Sequence, residues 1–375
     1  MTTSAPLASV AIVGTGLIGT SIGLALTQAG VLTYLADQDP HARDAAVAMG
    51  AGRAWAQERV EHAIIAVPPT QVAAELIRVL RSNLALSASD VCSVKTKPLA
   101  EIEALTSDSS GSSGSVLRSR ICLAHPIAGR ERGGATSAQP DLFVDRPWVL
   151  CPLPESSLEA IAAARAVAAA VGAAAVEMSP REHDVLLARL SHVPQLVSSA
   201  TAAALQGLDS GLAAVAGQGV RDVIRLAGSD PRLWGEIVAA NASAVAAALG
   251  PVIGRLSALQ DACDGPADTL AAVVEALIAD GRDGRANLPV KPGASRAPWV
   301  VVDIVVPDRP GELARLFAAV GAAEINVEDI AMEHGVAQPA GVVHLSVIPE
   351  SVERLVDIAT AAGWHCTPRK DDSAI

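Results

Sequence analysis

The chain is short of aromatic residues, with one Tyr, two Phe and five Trp in 375 positions. Its interior must be filled largely by Ala, Val and Leu, which favours helices packed closely through small side chains. Blocks of Lys or Arg are missing as well, and the net charge is −12. With nothing to track a phosphate backbone, no nucleic-acid partner is expected. Cysteine is scarce: five residues, with no CxxC pair. That argues against a structural zinc site, so no metal is expected, and it suits a reducing cytoplasm. The opening MTTSAPLASVAIVGTG lacks a charged segment ahead of an apolar one, so no secretory signal is expected. Ala-rich runs such as Ile161 to Val176 are broken by Arg165 and by glycine and fall short of a membrane span, so no membrane partner is expected either.

What is present is ample apolar material, half of all residues, enough for two or three domains at this length. Residues 9–150 alternate short apolar runs with helical patterns: VAIVGTG, VLTYLAD, HAIIAVPP, DVCSVK, RICLAHP and PWVLCPL. Such alternation predicts a parallel sheet covered by helices on both faces, a doubly wound α/β domain over 1–153. The run SDSSGSSGS at 107–115 reads as a polar loop. From Pro154 the pattern becomes long Ala/Leu/Val helices, with one strand at AAAVEMS and with Pro194, Pro231 and Pro251 as punctuation. This predicts a helical domain over 154–283 whose broad apolar faces meet a second copy of the chain, giving a homodimer. A Gly/Pro-rich linker covers 284–297. A compact unit over 298–370 reads β-α-β-β-α, with HCTP as a closing strand.

Three stretches carry chemistry. Gly14-x-Gly16-x-x-Gly19 follows a strand and opens a helix, and Asp37 closes the next strand, which is the context a dinucleotide site requires. Gly14 permits the tight turn, Gly16 admits the pyrophosphate and Gly19 lets helix and strand approach. The helix start at Leu17 and Ile18 offers free N–H groups to an anion. Asp37 would accept from the ribose hydroxyls and repel a 2′-phosphate, favouring NAD over NADP. AVPP ends a neighbouring strand, where Val67 and Pro68 shape the pocket edge. Ser93, with Lys95, and His125 both fall at strand carboxyl ends, where open parallel sheets bind ligands. A hydride-transfer enzyme acting on an alcohol needs a base for the hydroxyl proton, and neutral imidazole suits that role.

These residues, in order with HDVLLARLSHVPQL, RDVIRLAGSDPRLW and LPVKPG, resemble the prephenate/arogenate dehydrogenase family of tyrosine biosynthesis. The resemblance implies NAD-dependent oxidative decarboxylation of a cyclohexadienol, prephenate to 4-hydroxyphenylpyruvate or arogenate to L-tyrosine. It implies His125 as proton acceptor with Ser93 orienting it. His192 and Gln195 share a helix face, as do Arg221 and Arg225, and arginine forks suit carboxylates. Arg225, then Arg221, are the expected substrate-carboxylate ligands. His183 falls on the face opposite His192 and reads, with Asp184, as a helix–helix contact. Two positions depart from the family pattern: Gln195 replaces a second His, and Arg130 replaces a small residue after HPIAG. They pull in opposite directions on substrate choice.

The C-terminal unit resembles an ACT domain, an amino-acid-sensing module, through its DRPG turn and INVEDI strand. Gly311 and Asn326 are its candidate effector residues, and L-tyrosine the implied effector. Two other readings remain. A β-hydroxyacid type of dehydrogenase would use a Lys on the first long helix of the second domain, and HDVLLARLSHVPQL holds none. A regulatory protein sensing NAD and an amino acid would bind NAD without turnover.

Overall fold

The computed structural model describes residues 7–107, 112–128, 134–209, 211, 215–288, 299–334 and 340–369. The segment after HPIAG that carries Arg130 lies outside the described residues, as do 108–111 and most of the expected linker.

Strand β1 (Ser9–Val13) lies at the middle of a five-stranded parallel sheet with β2 (Leu32–Ala36), β3 (Arg53–Ala54), β4 (Val60–Ile65) and β5 (Ala85–Asp90), in the order β3-β2-β1-β4-β5. Val10 to Ile12 and Ala63 to Ile65 are fully buried because helices cover both faces of the sheet. These helices are α1 (Leu17–Gln28), α2 (Pro40–Ala48), α3 (Pro69–Arg81), α4 (Thr96–Ser107) and α5 (Ser112–Ser119). In α3 the residues Val72, Ala73, Leu76, Ile77 and Leu80 form one buried stripe at helical spacing. The strand order reverses between β1 and β4, which opens a crevice at their carboxyl ends.

Three details differ from the sequence reading. The strand expected at DVCSVK ends where that motif begins, at Asp90, so Ser93 and Lys95 sit in the connection to α4. Part of the expected polar loop is helical, since α5 starts at Ser112. The strands past β5 are also not all parallel, and they form a three-stranded sheet of their own. Strand β6 (Cys122–Pro126) is joined to β5 by a parallel bridge between Ala88 and Ile121. Next, β7 (Pro147–Pro152) runs antiparallel to β6, and β8 (Ala174–Glu177) parallel to β7. The intervening α6 (Leu158–Ala170) packs its buried Ala164, Val167 and Ala168 into the same core as β1. These elements therefore extend the first sheet layer past Pro154, to Glu177.

The helices that follow are α7 (Pro180–Leu187), a π-helical turn at Ala188–His192, α8 (Val193–Ala203), α9 (Gln218–Ile224), a 3-10 turn at Arg225–Gly228, α10 (Pro231–Ala240), α11 (Ala242–Cys263) and α12 (Ala267–Arg285). A capping box starts α7: Ser179 accepts from the Glu182 N–H, and Glu182 accepts from the Ser179 N–H. Pro194 has no N–H to give, and its ring would press on the carbonyl one turn back, so the wide turn before it has an identifiable cause. Helix α11 is long and apolar enough to cross a membrane by length and composition. Its Ile253 and Leu256 are more than half exposed, as is Ile278 on α12.

The chain divides into two compact units at Ile253/Gly254. The second unit ends in β9 (Val300–Pro307), α13 (Glu312–Ala322), β10 (Asp329–His334), β11 (Ala340–Val347), α14 (Val352–Ala361) and β12 (His365–Pro368). Its antiparallel sheet has the order β10-β11-β9-β12. Val302, Ile304, Leu316, Leu345, Leu355 and Trp364 form its core.

Inside the first sheet, His62 is fully buried between the hydroxyls of Ser87 and Ser89, each 2.8 Å from a ring nitrogen. Burial pushes its pKa down to about 3 from 6.5. The unfolded chain therefore takes up this proton first as pH falls. The stabilisation is complete above the unfolded value and is lost progressively from pH 6.5 toward about 3. His62→Gln keeps donors and acceptors between the two serines without titrating. It should flatten the decline of melting temperature across that window; a decline as steep as wild type would acquit His62.

Candidate active site

The glycine turn fits a dinucleotide. Gly14 has φ +103°, and a side chain there would collide with the Ala66 carbonyl at the end of β4. A side chain at Gly19 would strike the Gly14 carbonyl, so α1 could not pack against the turn. Gly16 instead faces open space, and as the N-cap of α1 it supplies no side chain to the free N–H groups of Leu17 and Ile18. That end of the helix is open to an anion. Asp37, just past β2, is held to the turn: Oδ2 accepts from the Thr15 N–H at 2.6 Å and the Thr15 hydroxyl at 2.9 Å, while Oδ1 accepts from the Asp39 N–H. A carboxylate has lone pairs beyond these three, so Asp37 retains capacity for ribose hydroxyls. Val67 and Pro68, on the β4 side, are half-buried and exposed, respectively.

A cavity of about 580 Å³ lies past the carboxyl ends of β5 and β6. Ser93, His125 and His192 are its polar members, with Ser191 beside them; Ile127, Val149, Leu186, Leu190, Trp234 and Ile237 make it mostly apolar. The sequence reading brought Ser93, His125 and His192 to one site, and the structure gathers all three.

Buried charge shapes the floor. Asp90 and Lys95 are fully buried and paired, with Nζ 2.5 Å from Oδ2. The same carboxylate accepts from the N–H of Cys92 and from that of Ala124 in β6. These bonds hold the Ser93 connection against the strand that delivers His125. Next to it, Asp184 at the end of the α7 first turns accepts from the backbone N–H groups of Lys95 and Thr96, each at 2.8 Å. Burial pushes the Asp184 carboxyl up, but hydrogen bonds from His183, Thr96 and Lys95 outweigh it and leave the pKa below the usual range.

His183 differs from its expected role. Its Nδ1 meets Asp184 Oδ1 at 2.8 Å and its Nε2 meets His125 Nδ1 at 2.8 Å. It touches the catalytic candidate rather than another helix. The half-turn offset from His192, counted with α-helical spacing, overlooks the wide turn at 188–192. Asn241 closes the other side, donating to the Asp184 carbonyl at 2.8 Å and meeting His192 Nδ1 at 3.3 Å. His192 also packs edge-on against Trp234. Burial, with the neighbouring charges of His183, Lys95 and His192, holds the His125 pKa well below its ordinary value. His125 is therefore neutral, and able to accept a proton, through the whole neutral range.

Gln195 is placed differently from a substrate ligand. It is buried outside the cavity wall, and its Nε2 donates to the Leu226 carbonyl at 2.7 Å while its Oε1 accepts from the Ser229 hydroxyl at 3.2 Å. It fastens α8 to the turn that carries Arg225. Arg221 and Arg225 are exposed on α9 and that turn, away from the described cavity lining. In the C-terminal unit, Gly311 has φ +92° at the start of α13, and Asn326 donates to Glu328 at 2.5 Å.

A reversing parallel sheet with this glycine turn, and with a neutral histidine lining a cavity past its strand ends, fits the nicotinamide-dependent dehydrogenases. Comparison with known proteins narrows the class. Family models described as "Prephenate dehydrogenase, nucleotide-binding domain" and "Prephenate dehydrogenase, dimerization domain" match residues 22–177 and 179–274. A relative in Streptomyces niveus, "Probable prephenate dehydrogenase NovF", is 34% identical over 94% of this chain and 98% of its own length. Among solved structures, prephenate dehydrogenase from A. aeolicus matches with TM-score 0.64 and 24% identity over 75% of this chain and 99% of that one. Synechocystis arogenate dehydrogenase matches with TM-score 0.57 and 25% identity over 74% and 99%. The chain belongs to the prephenate dehydrogenase family.

Removing one partner of the buried pair should expose its cost. Lys95→Met leaves Asp90 charged and unpaired in the core, and urea denaturation should show a loss of about 3–5 kcal/mol. A loss no larger than that of a surface substitution would mean that the pair does not hold the site together.

Proposed function

We propose that the protein is a prephenate dehydrogenase: it oxidatively decarboxylates prephenate to 4-hydroxyphenylpyruvate with NAD. The observation that carries this reading is His125, neutral and buried at a strand end, lining a largely apolar cavity beside Ser93 and His192. Bound NAD would supply the acceptor for hydride from the carbinol carbon, held by the Gly14–Gly19 turn and Asp37. His125 takes the hydroxyl proton as the ring carbon is oxidised. Loss of the ring carboxylate as carbon dioxide then leaves its electron pair in the ring, and the proton on His125 returns to the oxygen as the phenol forms. Ser93, expected to orient His125, has no described hydrogen bond to it, its place beside His125 in the lining instead supporting a hydrogen bond at the reacting oxygen. His192 contacts the ring; Arg225 and Arg221, exposed and outside the described cavity lining, are the proposed ligands of a substrate carboxylate that extends beyond that lining.

We assign residues 1–153, with the helix and strand to Glu177 that complete their sheet layer, to nucleotide binding, the rest of 154–283 to substrate binding and dimerisation, and 298–370 to regulation. Exposed apolar residues on α11 and α12 support a homodimer. The β-α-β-β-α-β order of the C-terminal unit supports an ACT-type module sensing L-tyrosine, with Gly311 and Asn326 at its effector site. Five free cysteines support a cytoplasmic enzyme. Arogenate is the alternative substrate. Gln195 is occupied within the protein, so substrate choice is assigned to groups other than its amide.

The test is formation of NADH with prephenate and with arogenate, each with NAD and with NADP. Turnover of prephenate with NAD is expected; NAD binding without turnover of either substrate would favour a sensor. His125→Asn should lower kcat by about 10²–10⁴-fold with NAD binding intact. Near-wild-type turnover would overturn its role as base. Asp37→Ala should raise KM for NAD and narrow the preference over NADP, and an unchanged ratio would place that discrimination elsewhere.

A further inference from the structure

The chain Asp184–His183–His125 has only one consistent arrangement of protons. A carboxylate accepts and cannot donate, so His183 Nδ1, which faces Asp184 Oδ1 at 2.8 Å, carries the hydrogen. A neutral imidazole has one N–H, which leaves His183 Nε2 as an acceptor. That nitrogen faces His125 Nδ1 at 2.8 Å, so His125 Nδ1 must donate. The remaining nitrogen of His125, Nε2, is then a bare lone pair. Both rings are neutral because burial is the largest influence on each and lowers both pKa values. Asp184 cannot rotate out of this arrangement, since its two oxygens also accept from the Lys95 and Thr96 N–H groups.

From this geometry we infer that His183 and Asp184 are positioning residues that fix the tautomer of His125, keeping Nε2 free to accept the substrate hydroxyl proton. The inference rests on His125 being the proton acceptor. When Nε2 takes that proton, the imidazolium formed keeps its Nδ1–H on His183, and the ionised Asp184 stabilises the added charge through the intervening ring. Lys95 and His192 also face this group and oppose its protonation, while the Asp90 carboxylate compensates Lys95. Without His183, an isolated neutral imidazole is free to adopt the Nε2–H tautomer, which presents a hydrogen where the reaction needs a lone pair.

The test uses the full-length enzyme with ¹⁵N-labelled histidine. His125 signals are identified by their disappearance in His125→Asn. In the wild type, His125 should show a protonated Nδ1 and an unprotonated Nε2. His183→Leu removes the acceptor and should shift His125 toward Nε2–H, lowering kcat by about 10²-fold with little change in the KM for NAD. His183→Gln offers an amide oxygen to His125 and an amide N–H to Asp184, and should restore most of the lost kcat. An Nε2–H tautomer in the wild type overturns the inference even if His183→Leu does not fold. So does wild-type kcat in a folded His183→Leu. If the wild type has the expected tautomer but turns over neither prephenate nor arogenate, the dehydrogenase reading fails and the tautomer lock stands.

Discussion

The active-site architecture depends on a charge that has no access to water. Asp90 ends β5 fully buried, and its carboxylate ties together Lys95, the Cys92 N–H and the Ala124 N–H. An ion in that position is tolerable only with its partner and its hydrogen bonds complete. Completing them bends the 91–95 connection back over β6 and turns the Lys95 and Thr96 N–H groups toward Asp184. Ser93 reaches the cavity because Lys95 cannot leave it. His125 follows Ala124, which donates to the same carboxylate, so a single buried anion sets the distance between the two sequence-distant halves of the site.

Much of the nucleotide-binding part was legible because its rules are local. The glycine spacing, the strand before it and the acid after it are constraints that act within one βαβ unit, and each glycine answers to a close backbone contact or to open space. The placement of His125 at a strand end, and of Ser93 just past one, was legible for the same reason. The strand register at 85–90 was not. ALSASD is polar in composition, and its serines are buried because His62 on the adjacent strand pairs with two of them. Composition alone cannot reveal a polar pair inside a sheet.

The role of His183 was hidden by helical counting, which assumes one spacing throughout. The wide turn at 188–192 changes the phase between His183 and His192, and the only signal for it in the sequence is Pro194. Gln195 was misjudged for another reason. Its place next to a histidine on the same face suggested a ligand, but an amide that can donate and accept at once is equally suited to join two backbones, and Leu226 and Ser229 occupy it. The fold of the helical region was readable as helices, whereas the identity of their polar contacts depended on chain segments far away in sequence.

The wide turn before Pro194 also bears on how this helix can change over time. A π-helical turn holds one residue more than the α-helical turn it replaces. Losing a single residue there would restore regular winding and leave the two flanking segments in nearly their present angular relation, because five residues at the π spacing turn through about as much as four at the α spacing. The segment thus behaves as a phase buffer: one residue can be gained or given up there while the angle between its two ends, and with it the helix's caps and apolar stripe, stays nearly as it is.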